Sequence, residues 1–275
     1  MRNEFFGDIR DYRKYGLLRI LSGGKRASSA VCWMLTPDLG KPTKVDYLCR
    51  DKTWRHETCW HFDERLFDAL HQAVCVDRER NVARAKHADI LSPEVFGCYE
   101  GQLKDDIRSR KEYFEGFLTR SKGRDLVFFD PDTGLETKGA PFVKKRSRDH
   151  LYFDELSKAF GNQHSILVFQ FFARVRAEAV IAEKTEQIFA RLDVNDVASF
   201  RTPSVIFFLV PQRKHVDEMK ERSEEVRERW GEQIRPKWHS RNCNSRAVTC
   251  GPMIKSVGDE HATNPRLSRQ VRTAR

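Results

Sequence analysis

The 275-residue sequence lacks any long apolar run, and its first residues are charged. No stretch approaches the ~18 consecutive apolar residues that a transmembrane helix needs. The N-terminal segment carries arginine, glutamate and aspartate where a secretory signal peptide needs an apolar core. Mean hydropathy is −0.65, and charged residues make up 33% of the chain, above the ~25% of an average soluble domain. We therefore expect a cytoplasmic globular protein rather than an integral membrane protein.

The cysteines are few and lack the spacings of a disulfide or zinc framework. There are 7 of them, an odd number, and no Cys-x-x-Cys pair. This pattern argues against a secreted disulfide-rich domain and against a zinc ribbon. His56, Cys59 and His61 lie close together, but no second ligand pair accompanies them. We predict no metal site.

Large aromatic residues and basic residues are abundant. The 19 Phe and 5 Trp can build a core, which excludes wholesale disorder. The formal net charge is +10, and residues 235–275 hold nine Lys/Arg against two Asp/Glu. We predict one domain over residues 1–234 and a basic, flexible tail over 235–275 that contacts nucleic acid. The alternative is a tail that only aids solubility.

Apolar, strand-like segments alternate with amphipathic helical segments. Residues 125–130 and 165–170 are apolar at their interior positions, as a parallel strand covered on both faces requires. Further strands are predicted at 29–36, 44–49, 73–77, 194–200 and 204–210, and helices at 5–21, 63–73, 102–122, 154–160, 176–192 and 214–230. This order predicts an α/β fold with a mostly parallel sheet, helices on both faces and a C-terminal antiparallel hairpin.

Acidic residues gather where the strand at 125–130 ends. Asp130, Pro131, Asp132, Glu136 and Lys138 fall within nine consecutive positions there. In open α/β sheets, ligands bind beyond the carboxyl ends of the strands. Crowding three carboxylates and a lysine is costly unless a ligand uses them, so we predict a functional site. The alternative is a surface turn.

A second polar group lies on the first predicted helix. Asp8, Asp11 and Tyr15 follow spacings of three and four and therefore share a helix face, with Lys14 close to it. A functional role for these residues depends on the family resemblance described below. The alternative is a solvated helix with intrahelical ion pairs.

Further candidates follow two other strands. Gln170 and Arg174 come at and after the end of the strand at 165–170, where the guanidinium could meet a phosphate or carboxylate. Trp33 and Thr36, at the end of the first strand, could line the same cleft. The alternatives are ordinary surface arginines and a core tryptophan.

Two of these motifs resemble a known family. Residues 6–18 are similar to the N-terminal Gly-Asn-x-x-Asp-x-x-Lys-His helix of the ribosomal-RNA adenine-N6 methyltransferases that act on the large subunit. The run Asp130-Pro131-Asp132-Thr133 stands where such enzymes carry Asp-Pro-Pro-Tyr. The resemblance is loose over residues 5–212 and rests on these two motifs. It implies the Rossmann-like class I methyltransferase fold, a seven-stranded sheet ending in an antiparallel hairpin.

The resemblance also implies a cofactor and roles for individual residues. The cofactor would be S-adenosylmethionine, with Asp77 as the ribose-binding acid and Asp89 flanking the adenine. The full set of roles would be Asp130, Pro131, Asp132 and Lys14 in catalysis, Asp8, Trp33, Thr36, Asp77 and Asp89 at the cofactor, and Glu136, Lys138, Gln170 and Arg174 at the substrate. The sequence departs from the family in lacking a Gly-x-Gly loop after the first strand. Thr133 also stands where an aromatic would stack on the target base.

These observations leave three functions open. The first is methyl transfer to nucleic acid, with adenine N6 as the acceptor, or the activity of a divergent relative. The second is a Mg²⁺-dependent nuclease, because Asp132, Glu136 and Lys138 form a compressed Pro-Asp…Glu-x-Lys pattern. The third is a non-enzymatic α/β protein that binds nucleic acid.

Overall fold

The computed structural model describes residues 1–23, 28–40, 59–92, 96–99, 101–137, 147–172 and 175–241. The strand predicted at 44–49 lies outside these residues. Met1–Arg241 forms one compact unit, and Asn242–Arg275 is outside the described part of the chain. Of the helices that the structure describes, none combines the length and the apolar character needed to cross a bilayer.

A seven-stranded sheet forms the centre of this unit. The strands are β1 (Ser29–Cys32), β2 (Phe96–Tyr99), β3 (Leu126–Phe129), β4 (Gly134–Leu135), β5 (His150–Leu151), β6 (Ser165–Phe171), β7 (Asp196–Arg201), β8 (Val205–Val210) and β9 (Arg235–Ser240). The main sheet has the order β2-β1-β3-β6-β8-β7-β9, and β4 pairs with β5. Strands β2, β1, β3 and β6 are parallel, whereas β8, β7 and β9 join by antiparallel pairing. The predicted α/β class, with its antiparallel C-terminal part, is confirmed.

Helices cover both faces of the sheet. They are α1 (Ile9–Leu21), α2 (Glu64–His71), α3 (Ile107–Arg120), α4 (Phe153–Gly161), α5 (Ala177–Arg191) and α6 (Val216–Trp230). Alternate residues of β3 point to opposite faces. Leu126 and Phe128 pack in the cluster with α1, α2 and α6, while Val127 and Phe129 pack with α3, α4 and α5. This two-sided burial explains why the strand reads as a continuous apolar run.

The strand order reverses between β1 and β3. From β1 the chain moves outward to β2, and it then returns to place β3 on the other side of β1. Ligands of open α/β sheets bind in the crevice beyond the carboxyl ends of the strands at such a switch point. The segments that follow β1 and β3 begin at Trp33 and Asp130. They therefore meet at the place where the topology favours a ligand.

The strand predicted at 73–77 is wrong. Gln72–Val76 instead continues α2 as a π-helical turn, with Ala73 and Val74 buried and Val76 57% exposed. A run of only four apolar residues satisfies a helix turn as well as a strand, so periodicity could not separate the two.

The domain boundary predicted at residue 234 is also too early. Arg235–Ser240 forms β9, which pairs with β7 from Arg201↔Arg235 to Asp196↔Ser240. Pro236 is buried while its neighbours Arg235 and Lys237 are exposed. Proline is tolerated in an edge strand, where one side of the backbone needs no partner. The β7–β8 hairpin is therefore not at the sheet edge, because β9 covers it.

Candidate functional site at the switch point

Two buried carboxylates stabilise the start of α1 by accepting hydrogen bonds from backbone N–H groups. Asp8 caps the helix, because its Oδ1 accepts hydrogen bonds from the backbone N–H groups of Arg10 and Asp11 at 2.8 and 2.9 Å. Asp11 Oδ2 accepts a hydrogen bond from the Gly7 N–H at 2.9 Å. The two acids predicted on one helix face are therefore fixed by backbone groups at the N-terminus of α1.

Lys14 joins this helix to the end of β3. Its Nζ lies 2.5 Å from Asp11 Oδ1 and 2.7 Å from Asp130 Oδ2, and all three side chains are at most 4% exposed. Although burial opposes it, the two carboxylates raise the pKa of Lys14 above its usual value. Burial raises the pKa of Asp130, and Asp11 adds to this effect. One ammonium is thus shared between two buried acids.

Asp132 is held by a separate set of cations. The Met1 amine lies 3.0 Å from its Oδ1, and Arg2 Nη2 lies 3.0 Å from its Oδ2. The Thr36 hydroxyl also donates to Oδ2, at 2.7 Å. Burial acts in the opposite direction, but these groups lower the pKa of Asp132 below its ordinary value. Asp132 is therefore an anion fixed between the segments that follow β1 and β3.

Two carboxylate oxygens of this cluster remain open. Asp130 Oδ2 bonds Lys14, and Asp130 Oδ1 has no hydrogen-bond partner among the described residues. Asp8 Oδ2 has only an ion-pair contact with Arg10 Nη1, at 3.9 Å. Burial, and then the neighbouring Asp11 carboxylate, raise the pKa of Asp8 to about 7. Neither oxygen is among the fully enclosed side-chain atoms that lack a hydrogen-bond partner in the described residues, so each has accessible surface where water or a ligand can donate a hydrogen bond.

These residues line a cavity of about 240 Å³, which we call the switch-point cavity. Its lining residues are Met1, Arg2, Phe5, Asp8, Arg10, Asp11, Lys14, Asp130, Pro131, Asp132, Phe169 and Phe171. Four cationic groups and four carboxyl groups line its polar side. Three phenylalanines supply the apolar part. The cavity combines aromatic surface with open hydrogen-bond acceptors.

The structure brings together the predicted catalytic set and only part of the predicted cofactor set. Asp130, Pro131, Asp132 and Lys14 all line the cavity, as does Asp8. The other cofactor candidates do not. Thr36 bonds Asp132 from outside the lining, and Trp33 is fully buried with its ring 5.5 Å from Lys14 Nζ.

Asp77 and Asp89 lie in other surroundings. Asp77 pairs with Arg84 and accepts a hydrogen bond from Gln72. Since Gln72–Val76 is helical, Asp77 does not end a strand as predicted. The Asp89 side chain is half exposed beside His87. Neither residue lines the switch-point cavity.

The switch-point cavity by itself is too small to enclose a whole S-adenosylmethionine molecule. The cavity is smaller than the ~300–1,000 Å³ of pockets that enclose drug-sized ligands. The Met1 amine bridges the crevice between β1 and β3 by donating to the carbonyls of Met34 and Asp130 at 3.3 and 2.9 Å. The acids expected to hold the ribose and adenine are elsewhere.

The predicted substrate residues have structural contacts instead. Gln170 Oε1 accepts from the Leu135 N–H at 3.0 Å, and its Nε2 donates to the carbonyls of Thr133 and Phe171. Glu136 Oε1 accepts from the Phe153 N–H at 2.9 Å. Neither of them lines the cavity. Lys138 and Arg174 lie outside the described residues.

The nuclease pattern is not assembled by the residues that the structure describes. Asp132 bonds Arg2 and Thr36, while Glu136 caps the start of α4. Within the described ranges, no three His, Cys, Asp or Glu side chains are grouped as a metal site requires.

Sequence reasoning missed the aromatic side of the cavity. Phe169 and Phe171 flank Gln170 on β6 and share the face opposite to it, as a strand requires. The signal was their i, i+2 spacing at the end of a strand adjoining residue 130. Arg10 and Phe5 could not be found in this way, because only the packing of α1 brings them there.

Comparisons with known proteins give a structural neighbour but no sequence match. No family model matches the sequence, and no curated protein matches it. Among solved structures, a Legionella pneumophila protein of the family model DUF519 is similar at 10% identity and a TM-score of 0.41. The match covers 85% of this chain and 97% of that one.

Proposed function

We propose that this chain is a methyltransferase-like protein of nucleic acid whose switch-point cavity receives an unpaired base through its exocyclic amine. The proposal rests on the carboxylate of buried Asp130. Lys14 bonds its Oδ2, whereas its Oδ1 has no hydrogen-bond partner among the described residues. An amine N–H group satisfies that oxygen. The position at the topological switch point supports a ligand here independently.

Asp130 would orient the amine rather than react with it. The exocyclic amine of adenine is a poor nucleophile, because its lone pair is delocalised into the ring. A carboxylate that accepts one of its hydrogens fixes the nitrogen and favours a reactive lone pair. Lys14 keeps Asp130 in one rotamer, so this hydrogen bond would be formed without further ordering. S-adenosylmethionine would supply the methyl group.

The base must be unpaired to enter. A cavity lined by buried side chains cannot reach an amine inside a duplex, so the substrate would be single-stranded or have its base flipped out. Asp8 adds a second acceptor, and as its pKa is about 7 it is present in both protonation states near neutrality.

Binding of a matched pair of oligonucleotides tests the base-recognition part of this proposal. One is a short single-stranded oligothymidylate with a central adenine, and the other carries purine, which lacks the amine. We expect the wild type to prefer adenine and Asp130→Asn to lose the preference, because an amide held by Lys14 turns its own N–H₂ group to the ligand. Asp154→Asn, an exposed acid on α4, is the matched control.

Transfer of label from methyl-labelled S-adenosylmethionine to the adenine oligonucleotide tests the reaction. Wild-type protein should transfer label and Asp130→Asn should not. Equal affinity of the wild type for adenine and purine would overturn base recognition. A clear adenine preference without label transfer or saturable S-adenosylmethionine binding by calorimetry would overturn the methyltransferase assignment and leave a binding protein.

A further inference from the structure

The end of β6 places aromatic surface beside the cluster of acids. Phe169 and Phe171 line the switch-point cavity, and both are only partly buried. The Phe171 N–H donates to the Thr133 carbonyl at 2.9 Å. This hydrogen bond fixes the backbone of Phe171 next to the segment that carries Asp130 and Asp132.

A guanidinium covers the Phe171 ring. The Arg10 Cζ atom lies 5.5 Å from its centroid, within cation–π range. The Arg10 side chain is 43% exposed, and its contact with Asp8 is long, at 3.9 Å. No tight hydrogen bond among the described residues holds this guanidinium on the ring, so a planar ligand can replace it there.

The combination of surfaces favours a base over other amine-bearing ligands. The four carboxyl groups that line the cavity are matched in number by four cationic groups, so the lining has no excess of acids that would favour a cationic amine over a neutral group. The phenylalanines offer aromatic surface on which a planar ring can stack. The open oxygens of Asp8 and Asp130 match donors on the edge of such a ring. A sugar or an aliphatic amine would use the acids and leave the phenylalanines without a role.

We propose that Phe171 is the stacking surface for the bound base and that Arg10 moves from the Phe171 ring to the phosphate of the same nucleotide. This inference rests on the proposed function and names the residues that position its substrate. It supplies from a neighbouring strand the aromatic that Thr133 does not provide. Phe171 is a positioning residue, and its contribution depends on the presence of a base.

An abasic oligonucleotide isolates this contribution. Affinity is measured by fluorescence anisotropy for the adenine-containing oligothymidylate and for the same strand with an abasic site in place of adenine. In the wild type the base should strengthen binding by roughly 5- to 150-fold, the range that stacking on an aromatic supplies. Phe171→Ala should remove that gain, and Phe171→Trp should retain it.

Phe172→Ala is the matched control. Phe172 is the next residue and is also partly buried, but it packs against the cluster on the opposite face of the sheet. Its replacement should leave the preference for the base intact. Phe171→Leu, which keeps apolar volume without a π face, replaces Phe171→Ala if the smaller side chain lowers the melting temperature.

Substitution of Arg10 should change oligonucleotide binding in a different way from substitution of Phe171. Arg10→Gln should reduce the salt dependence of binding by about one phosphate contact and weaken the base-containing and abasic strands alike. An unchanged preference for the base in folded Phe171→Leu would overturn the stacking role while Asp130-dependent adenine recognition stands. A wild type that does not distinguish base from abasic site would overturn the proposed function itself.

Discussion

Asp8 combines a helix-capping role with a buried carboxylate that lacks a close cation. Its Oδ1 caps α1, while Oδ2 is 3.9 Å from Arg10. Burial and Asp11 raise its pKa from 3.8 to about 7, and the charges of Arg10 and Lys14 only partly oppose them. The sequence identified Asp8 as a candidate site residue. It could not show the raised pKa, which depends on how the helix is buried.

Because its pKa is raised in the folded protein, Asp8 should make the protein less stable as the pH rises. Between pH 4 and 7 the native state holds a proton on Asp8 that the unfolded chain has released, so the free energy of unfolding decreases across this window. Asp8→Asn keeps a good helix cap and cannot titrate. We expect its free energy of unfolding, measured by urea denaturation, to match that of the wild type near pH 4. At pH 8 its free energy of unfolding should exceed that of the wild type. Parallel pH profiles would contradict this assignment.

At the scale of elements, the turn into β4 shows how a site segment is held. Gly134 has φ +127°, which L side chains rarely adopt, and a Cβ there would lie 2.4 Å from the Gln170 carboxamide. Gln170 in turn bonds Thr133 and Leu135. The sequence placed Gln170 at the correct strand end. It assigned the side chain to the ligand because nothing local showed that β4 packs against it.

Gly134→Ala should therefore destabilise the protein and disturb the site. The backbone conformation and the clash with Gln170 together should lower the free energy of unfolding by about 1–3 kcal/mol or more. Gly161→Ala is the matched control, because a Cβ there meets nothing within 4 Å and φ is not positive. It should be neutral or slightly stabilising. Equal unfolding free energies for the two variants would contradict the packing described here.

At the scale of the whole molecule, β9 decides where the folded unit ends. The basic composition after residue 234 suggested a tail, but pairing with β7 makes Arg235–Ser240 part of the sheet. Trp238 packs against the cluster that contains α1 and α6. Composition could not reveal this strand, because an edge strand needs few apolar residues and its partner is distant in sequence.

Two truncations separate the strand from the residues beyond it. Removal of residues 242–275 should leave the melting temperature unchanged, since Met1–Arg241 is a compact unit. It should reduce the salt dependence of nucleic-acid binding, because six Lys/Arg and two Asp/Glu are lost. Removal of 235–275 should in addition lower the melting temperature by unpairing β7. Equal melting temperatures for the two truncations would contradict the role of β9.

The sequence by itself determined the fold class and the two motifs of the site. Continuous apolar runs specify strands buried on both faces, and the spacing of acids on a helix depends only on its period, so both are local properties. Tertiary structure alone decided the strand order, the meeting of α1 with the end of β3, the inward contact of Gln170 and the placement of Phe171. Those features arise from contacts between residues far apart in the chain, whose energies depend on which surfaces meet and not on any one segment.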